Sequence, residues 1–410
     1  MTATAAPVPG APGATTATLS QVVAALDRRY PPRTAEPWDS VGLVTGDPQQ
    51  PVRRVLFAVD PVAAVVDEAL DWGADLVVTH HPLFLRAVHS VAATSFKGAV
   101  VHRLLRAGVG LYNAHTNADA AAGGVAEALA TAVGLVDTQP LVAAPGPSLD
   151  KVVVFVPVPD AERVVDALAA AGAGALGEYR RCAWTTTGEG TFVPTEAAHP
   201  AVGTAGERSH VVEVRVEMVA PRERRSAVLA AMRAAHPYEE PAFDVLELAA
   251  TVGGTGLGRV GRLPEPTTLD AFARSVAAAL PATAQGVRYA GEPSLRVERV
   301  AVLGGSGDGE LDAVRAAGVD VYVTSDLRHH PASEQREHAL FESVRGVPAL
   351  VDTAHFASEW PWLPLAAVAL ERDLAAAGAS VSTRVSTLRT DPWTARVDGP
   401  APDGAPEGVS

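Results

Sequence analysis

ALDWGADLVVTHHP (residues 69–82) and VRAAGVDVYVTSDLRHHP (residues 314–331) follow the same pattern, and this pattern decides the fold. In each stretch a helix-like segment ends at a glycine, and an aspartate two residues later precedes a largely apolar run that ends at a threonine. Such a run, entered from a helix, is typical of a buried strand in a parallel α/β sheet. The strands that follow also match, because LYNAH (111–115) and VDTAH (351–355) both close on Ala-His. We therefore predict an α/β protein with two pseudo-symmetric α/β halves that form one domain.

A different order of elements lies between the two halves. Strand-like KVVVFVP, SHVVEVRVEMVAP and FDVLEL alternate with helix-like DAERVVDALAAAG and RRSAVLAAMRAAH, which predicts an inserted α+β, ferredoxin-like domain. Both ends of the chain lack periodic apolar positions, so we expect disorder there. The predicted division is a disordered tail over 1–18, a first half over 19–138, an insert over 150–250, a second half over 251–390 and a disordered tail over 391–410.

Composition narrows the classes of function. The 410 residues carry 33 Lys and Arg against 47 Asp and Glu, a formal net charge of -14, so nucleic-acid binding is not expected as the main activity. The single cysteine, Cys182, excludes an intrachain disulfide and a cysteine-rich zinc site, so any metal must be bound by His, Asp and Glu. Neither a signal peptide nor a membrane span is visible, and we expect a cytoplasmic protein.

The histidines gather at the ends of the matching strands. Seven of the twelve lie at or near them: His80, His81, His89, His115, His329, His330 and His355. Neighbouring side chains of a strand point to opposite faces, so His80 and His81 can serve one centre only where the strand ends, and Pro82 provides that end. The alternative is a pair of imidazoles that hydrogen-bond to the backbone at a strand end.

Three further residues complete a candidate metal site. His355 and Glu359 are four residues apart, and in a helix both side chains leave the same face. Asp119 follows the strand LYNAH, where its carboxylate either binds a cation or caps a helix. The candidate ligands are thus three imidazoles and two carboxylates: His80, His81, Asp119, His355 and Glu359. Shared between two divalent ions, this set leaves coordination positions open for water, which is typical of a catalytic site.

Other segments are candidates for roles beside the metals. SDLRHHP supplies Asp326, His329 and His330 at the matching strand end, either as groups that orient the ligands or act as general acid and base, or as an ordinary surface cluster. GGSGDG, between a strand and a helix, predicts either a loop that binds an anion or a tight structural turn. GLGRVG (256–261) has the spacing of a dinucleotide-binding loop, but LPEP follows it instead of a helix, so we do not assign that function.

Six motifs together resemble a known family. WDSVGL, VVTHHPLF, AHTNAD, GGSG, TSD followed by HH, and HFASE are similar, in this order over residues 19–390, to the NIF-three-like dinuclear metal-centre family, also described as GTP cyclohydrolase I type II homologues. The resemblance implies that two ions are held by the five candidate ligands. It also implies a homohexamer, a toroid whose metal sites face an internal cavity.

The resemblance extends to the insert and to the second half. GALGEYRRCAW, GTFVP and HPYEEPAFD are similar to the PII- and CutA-like domain of longer bacterial members, with Tyr179, His236, Tyr238 and Glu239 as matching residues. After the aspartate Asp326, the family usually has an aromatic residue and a histidine. This chain has Arg328-His329-His330, and we assign the histidine position to His330, with Asp326 and His330 as the catalytic candidates.

Three functions remain open on this basis. The leading hypothesis is a metal-dependent hydrolase acting on a small nucleotide-like or phosphate-bearing substrate; its cyclohydrolase version attacks the purine imidazole carbon of GTP. The alternative is a metal-handling or regulatory protein whose insert senses a metabolite. A purely scaffolding function leaves the convergent ligands unexplained. Histidine and carboxylate ligands suit zinc, iron, manganese and nickel alike, so the metal stays undefined.

Overall fold

The computed structural model describes residues 15–397 and divides the chain into two compact units. One unit contains the chain up to Ala144 and the chain from Gly254 onward, and the other is Pro145–Gly253. The parts of the predicted tails over 1–14 and 398–410 lie outside the described residues. The α/β class predicted from the sequence is confirmed by the mixture of helices and sheets below.

The first stretch of the chain alternates strands and helices. Its elements are β1 (Thr15–Thr18), α1 (Leu19–Arg29), β2 (Gly42–Thr45), β3 (Pro51–Val52), β4 (Arg54–Ala58), α2 (Ala63–Trp72), β5 (Leu76–Thr79), α3 (Phe96–Ala107), β6 (Gly110–Asn113), α4 (Thr116–Ala120), α5 (Val125–Ala132) and β7 (Val136–Pro145). Strands β4, β5 and β6 pair in parallel at the centre of a five-stranded sheet of order β18-β4-β5-β6-β2, whose first strand comes from the end of the chain.

The unit Pro145–Gly253 has a sheet of its own. Its elements are β8 (Leu149–Pro157), α6 (Ala161–Ala170), β9 (Trp184–Phe192), β10 (Ser209–Pro221), α7 (Arg225–Ala235) and β11 (Phe243–Glu247). The four strands pair antiparallel in the order β11-β8-β10-β9. The two helices and this sheet enclose a separate apolar core that includes Val154, Leu168 and Met232.

The last stretch returns to the first unit. Its elements are β12 (Val252–Thr268), α8 (Leu269–Ala279), β13 (Arg288–Ala290), β14 (Arg296–Ser306), α9 (Leu311–Ala317), β15 (Val321–Ser325), α10 (His329–Glu342), β16 (Ala349–Thr353), α11 (His355–Glu359), α12 (Trp362–Ala376), β17 (Ala379–Ser380) and β18 (Ser382–Val385). Strands β14, β15 and β16 pair in parallel within a six-stranded sheet of order β13-β16-β15-β14-β12-β7. Every residue of β15 and β16 is buried, as the apolar runs indicate.

The two matching sequence stretches form the same local structure. Gly73 and Gly318 end their helices in the left-handed region, at φ 68° and φ 63°. The following aspartate then binds the backbone at the start of the neighbouring strand: Asp75 Oδ2 accepts hydrogen bonds from the N–H groups of Arg53 (2.7 Å) and Arg54 (2.9 Å). Asp320 Oδ2 accepts the equivalent pair from Glu298 and Arg299, both at 2.9 Å. The repeated Gly-x-Asp is therefore a device that turns the chain from helix to parallel strand.

The described ends of the chain are more ordered than the sequence predicts. Residues 15–18 lie inside the predicted first tail, but they form β1, which pairs with β3 and β17 and buries Ala17 completely. At the other end, Asp391 is only 9% exposed. Both segments are held by partners far away in the sequence, which local composition does not reveal. Among the described helices, none combines the length and the apolar composition needed to cross a bilayer.

Candidate metal centre

The candidate ligands come from the carboxyl ends of buried strands. His80 and His81 follow β5, and His115 follows β6 by one residue beyond Ala114. His355 opens α11 directly after β16, and Glu359 lies one turn later in the same helix. Parallel strands bring their carboxyl ends to one edge of a sheet, which explains why residues so far apart in sequence lie together.

Glu359 lies at the centre of this cluster and is only 3% exposed. Its Oε1 is 2.9 Å from His355 Nε2 and 3.4 Å from His80 Nε2. Its Oε2 is 3.1 Å from His81 Nε2. Asp119 approaches from α4, with its Oδ1 3.6 Å from His80 Nε2. One carboxylate thus faces three imidazole nitrogens.

Each imidazole is held from behind through its Nδ1. The four acceptors are a backbone carbonyl and three carboxylates: Ala114 O for His80 (2.9 Å), Asp60 Oδ1 for His81 (2.7 Å), Asp39 Oδ1 for His115 (2.9 Å) and Asp326 Oδ2 for His355 (2.7 Å). Carbonyl and carboxylate oxygens only accept hydrogen bonds, so Nδ1 carries the proton in all four rings. In its neutral form each ring then presents the lone pair of Nε2 to the centre, which is the arrangement that metal-binding histidines adopt.

The geometry of the free nitrogen and oxygen atoms fits a cation. His81 Nε2 and His355 Nε2 are 3.2 Å apart, and two lone pairs at this distance repel unless a proton or a metal lies between them. His80 Nε2 and Glu359 Oε2 are buried and have no hydrogen-bond partner, which is unfavourable for polar atoms. Two groups of ligand atoms each lie within 4.8 Å of one another: His80, His81 and His115, and His81, His355 and Glu359. His81 belongs to both groups.

The charges of the cluster stabilise one another. Burial lowers the pKa of His355, but the carboxylates of Glu359 and Asp326 outweigh it and raise this pKa to about 10. Burial also lowers the pKa of His81, but the carboxylates of Glu359 and Asp60 outweigh this effect and raise the pKa well above its usual value. For Glu359, burial raises the pKa, but the surrounding imidazoles outweigh it and hold this pKa well below its usual range. A metal ion would therefore compete with protons for these nitrogen atoms.

The structure brings together all five residues that the sequence suggests as ligands and adds a sixth, His115. The sequence did contain an indication of His115, because His115 and His355 are the last residues of the matching stretches LYNAH and VDTAH. Asp39 and Asp60, which hold His115 and His81, were not identified from the sequence. Asp39 belongs to the motif WDSVGL, although the motif alone gave it no function, whereas no motif contains Asp60. Each of the two acts on a ring from a distant segment.

The two catalytic candidates have different surroundings. Asp326 has a left-handed backbone (φ 55°) and directs its Oδ2 to His355 Nδ1. His330 lies in the first turn of α10, exposed, with its ring centroid 5.2 Å from that of His329. Among the described residues, His330 belongs to neither group of converging ligand atoms. Asp326 is thus part of the cluster, whereas His330 is outside it in this chain.

The glycine loop after β14 packs directly against Glu359. Gly305 N–H donates to Ser358 Oγ (2.8 Å), and Gly305 O accepts from the hydroxyls of Thr324 (3.1 Å) and Ser325 (2.5 Å). At φ +71°, a Cβ on Gly305 would be 2.6 Å from Glu359 Oε1. These contacts favour the structural turn over the anion-binding loop. GLGRVG, in turn, lies within the long strand β12, consistent with its rejection as a dinucleotide site.

Comparisons with known proteins agree with one family. The model of the family described as Duf34/NIF3 (NGG1p interacting factor 3) matches residues 17–392. A Mycobacterium bovis protein named GTP cyclohydrolase 1 type 2 homolog is 52% identical over 376 residues, which are 92% of this chain and 96% of the relative. A Bacillus subtilis protein of the same name is 37% identical over 339 residues, 83% of this chain and 88% of the relative.

Solved structures give the same result. A Bacillus cereus protein described as related to NIF3 is 36% identical, with a TM-score of 0.74 over 92% of this chain and 99% of that chain. A Staphylococcus aureus protein is 28% identical, with a TM-score of 0.79 over 92% of this chain and 99% of that chain. The similarity therefore includes residues of both compact units.

Replacing Glu359 with Gln removes the charge at the centre of the cluster and keeps the volume of the side chain. We expect metal affinity to fall at least about tenfold, because the carboxylate faces three imidazoles. Elemental mass spectrometry after dialysis against buffered zinc measures the bound metal per chain. Glu337→Gln, an exposed change on α10, is the control. Equal metal content in both variants would contradict the assignment of Glu359 as a ligand.

Replacing Gly305 with Ala tests the contact between the loop and the site. The added Cβ would displace Glu359, and the left-handed backbone adds strain, so we expect metal affinity to fall about ten- to a hundredfold. Gly309→Ala in the same loop is the matched control, because nothing lies within 4 Å of its added Cβ. Metal titration of both variants gives the comparison. If Gly305→Ala binds metal as tightly as Gly309→Ala, the loop does not position Glu359.

Proposed function

Because the chain belongs to the Duf34/NIF3 family, we propose that it is a dinuclear metal protein that hydrolyses a small nucleotide-like or phosphate-bearing substrate. One observation carries this proposal. The imidazoles of His80, His81, His115 and His355 all have their Nδ1 occupied. The Nε2 atoms of His80, His81 and His355 lie 2.9–3.4 Å from the buried carboxylate of Glu359. A set of imidazoles around a buried carboxylate, beside a cavity, has the chemistry of a catalytic metal site.

In this proposal two divalent ions are held by His80, His81, Asp119, His355 and Glu359, with His115 as an additional ligand. Zinc, iron, manganese and nickel all suit such ligands. Support for two ions comes from the two overlapping groups of ligand atoms, since six side chains are more than one tetrahedral ion needs. When bound, the ions would supply Lewis acidity that activates water and polarises the bond under attack.

The chain's own residues orient the ligands and move protons. Asp60 and Asp326 keep the rings of His81 and His355 in one tautomer and one orientation, which preserves the ligand geometry through turnover. Asp326 also lines the cavity beside the site, so its outer oxygen is available to a substrate proton. His330 stays a proposed general acid or base, one that acts only if a movement or another subunit brings it to the site. In the cyclohydrolase version of the reaction, the bond attacked is at the purine imidazole carbon of GTP.

The remaining expectations belong to the same proposal. The βαββαβ order of the unit Pro145–Gly253 fits a ferredoxin-like, PII- or CutA-like module inserted between two pseudo-symmetric halves. We propose that the protein acts in the cytoplasm as a homohexamer. Exposed Leu340, Phe341 and Val344 on and after α10 offer an apolar surface for such an assembly.

A regulatory function is the second candidate, and a cavity in the insert favours it. This cavity of about 590 Å³ is lined by Phe155, Phe192 and Tyr238 and by four glutamates, among other residues. Its size suits a small metabolite. In this alternative the insert senses the metabolite and the metal site stores or delivers its ions.

Activity against a panel of nucleotides and phosphoesters tests the hydrolase proposal. We expect the metal-loaded protein to turn over at least one member, and His81→Ala to lower kcat/KM at least about a hundredfold, because His81 belongs to both ligand groups. His338→Ala, a change of an exposed histidine on α10, is the control. Identical turnover by the wild type and His81→Ala would refute the proposal.

Metal exchange separates the two functions. A catalytic site whose imidazoles are each held by a hydrogen bond and whose central carboxylate, Glu359, is buried should keep its metal for hours in the presence of a chelator such as EDTA. Release is measured with a colorimetric zinc indicator, beside the Gly305→Ala variant, which we expect to release metal faster. Transfer of metal to the chelator within minutes, without turnover of any substrate, would favour storage and delivery instead.

A further inference from the structure

The motif HPYEEP (236–241) has no part in the metal centre and instead forms one wall of the cavity in the insert. His236 fixes the motif to the sheet, because its Nε2–H donates to Phe155 O (2.9 Å) and its Nδ1 accepts from Tyr238 N–H (3.0 Å). A carbonyl oxygen only accepts and a backbone N–H only donates, so this imidazole is neutral. It therefore holds the tyrosine and the two glutamates of the motif at the wall of the cavity.

The floor of this cavity is the face of the four-stranded sheet that points away from the helices. Val154 and Val216 belong to the apolar core between the sheet and the helices. Successive side chains of a strand alternate between faces, so the paired residues Phe155 and Arg215 point to the opposite face, into the cavity. Residues of the segment 194–202 provide a further wall. The enclosed volume of about 590 Å³ is in the range of pockets that bind small molecules.

The lining of the cavity combines aromatic rings with an excess of negative charge. The rings of Phe192 and Tyr238 meet edge to face, with their centroids 6.0 Å apart. Arg215 is the only basic residue of the lining among the described residues, and its Nε–H already donates to Glu217 Oε1 (2.8 Å). The four glutamates of the lining are Glu189, Glu213, Glu239 and Glu240. The cavity is therefore suited to a ligand with positive charge.

Glu213 is the carboxylate best placed to receive that charge. Glu189 pairs with His210 (3.0 Å), whereas the half-buried Glu213 forms no ion pair with any described residue. Burial and the nearby carboxylate of Glu213 raise the pKa of Tyr238 to about 12. A negative charge thus lies beside an aromatic ring, which is the combination that binds ammonium groups.

Gly188 and Gly190 leave room for this carboxylate on the neighbouring strand. A Cβ on Gly190 would collide with Glu213 Oε2, so the glutamate side chain lies over this glycine. Gly188 pairs with Glu213 across β9 and β10, and nothing lies within 4 Å of a Cβ added there. Residues directly opposite each other on paired strands point to the same face. The space beside Glu213 is therefore open on the cavity side.

The carboxylates of the cavity are not arranged for a metal ion. Among the described residues, the insert contains no group of three ligand atoms that lie within 4.8 Å of one another. A divalent ion needs such convergence, because it takes several oxygen ligands at short distance. A larger cation, whose charge is attached to an apolar body, instead fits rings and carboxylates that are spread over the lining.

We infer that the cavity in the insert binds an organic cation, an ammonium group on an apolar or aromatic body, with Glu213 as its main charged partner. The inference rests on the second candidate function, for which it defines the class of metabolite. The rings of Phe192 and Tyr238 contact the apolar body and the cation, and the carboxylate accepts hydrogen bonds from the ammonium group. The same glutamates repel phosphate-bearing molecules, so this ligand is distinct from the substrate of the proposed hydrolase.

Calorimetric titration of the full-length protein with tryptamine, tryptophol and indole-3-acetate tests the inference. The three probes share an indole body and carry a positive, a neutral and a negative group at neutral pH. We expect tryptamine to bind at least about tenfold more tightly than tryptophol, and indole-3-acetate to bind most weakly. Glu213→Gln should weaken tryptamine binding at least about tenfold and leave tryptophol binding within about threefold. Gly188→Val should weaken both about fivefold or more, because its side chain occupies the open space.

Glu223→Gln, a change of an exposed glutamate just before α7, is the matched control and should retain the preference for tryptamine. The comparison of tryptamine with tryptophol uses the unaltered protein, so it remains valid if a variant fails to fold. Equal affinity for these two probes, no binding of tryptamine, or an unchanged preference in a folded Glu213→Gln variant would overturn the inference.

Metal measurements on the same samples separate this inference from the proposed metal centre. A preference for tryptamine in protein that binds no metal would refute the metal centre and retain the inference, and bound metal without the preference would do the reverse. Metal release is also measured with and without tryptamine. A changed rate would support sensing by the insert, whereas an unchanged rate would contradict sensing and leave the cation site in place.

Discussion

The site depends on hydrogen bonds that fix four imidazole rings from behind. Each Nδ1–H is bound by an oxygen of a different segment, so each Nε2 points to the centre only when those segments are in place. The segments include the ends of β4, β6 and β15 and the loop before β2. The carboxylate oxygens of the buried Glu359 then lie 2.9–3.4 Å from the Nε2 atoms of three of these rings. Fold and candidate site are therefore coupled, because the two sheets must form before the side chains converge, and a cation bound there would remove the repulsion that this convergence creates.

The sequence was sufficient where local pattern and position agree. The repeated Gly-x-Asp predicted two helix-to-strand turns, and Asp75 and Asp320 make equivalent backbone contacts at both. The parallel strands followed from uninterrupted apolar runs, which are fully buried. Because ligands of α/β sheets gather at the carboxyl ends of strands, His80, His81 and His355 could be assigned to one centre from the sequence. The same reasoning was wrong for His330, which belongs to neither group of converging ligand atoms among the described residues.

The sequence was insufficient where a residue's function depends on a distant partner. Asp60 is an ordinary acidic residue in its local context, and Asp39 belongs to a motif, WDSVGL, that does not reveal its partner; only the fold shows that each holds a histidine. Distant partners also explain why the described parts of the predicted tails are more ordered than expected. Thr15–Thr18 and Asp391 have the composition of disordered chain, yet one pairs with two strands and the other is buried. Pairing and burial of this kind are long-range effects that periodicity does not report.

His115 and His355 line two cavities, and the walls of these cavities differ in kind. In one, the backbone of Gly304 and Gly305 packs against Glu359, and any added side chain there would disturb the candidate ligands. The other cavity is bordered by the C-terminal segment, in which the Thr390 hydroxyl donates to Asp60. Trp393 of this segment is exposed and, within the described residues, forms no hydrogen bond with a candidate ligand. The wall formed by Gly304 and Gly305 is therefore the part of the loop that constrains the position of Glu359, whereas the C-terminal segment makes no such contact with this carboxylate among the described residues.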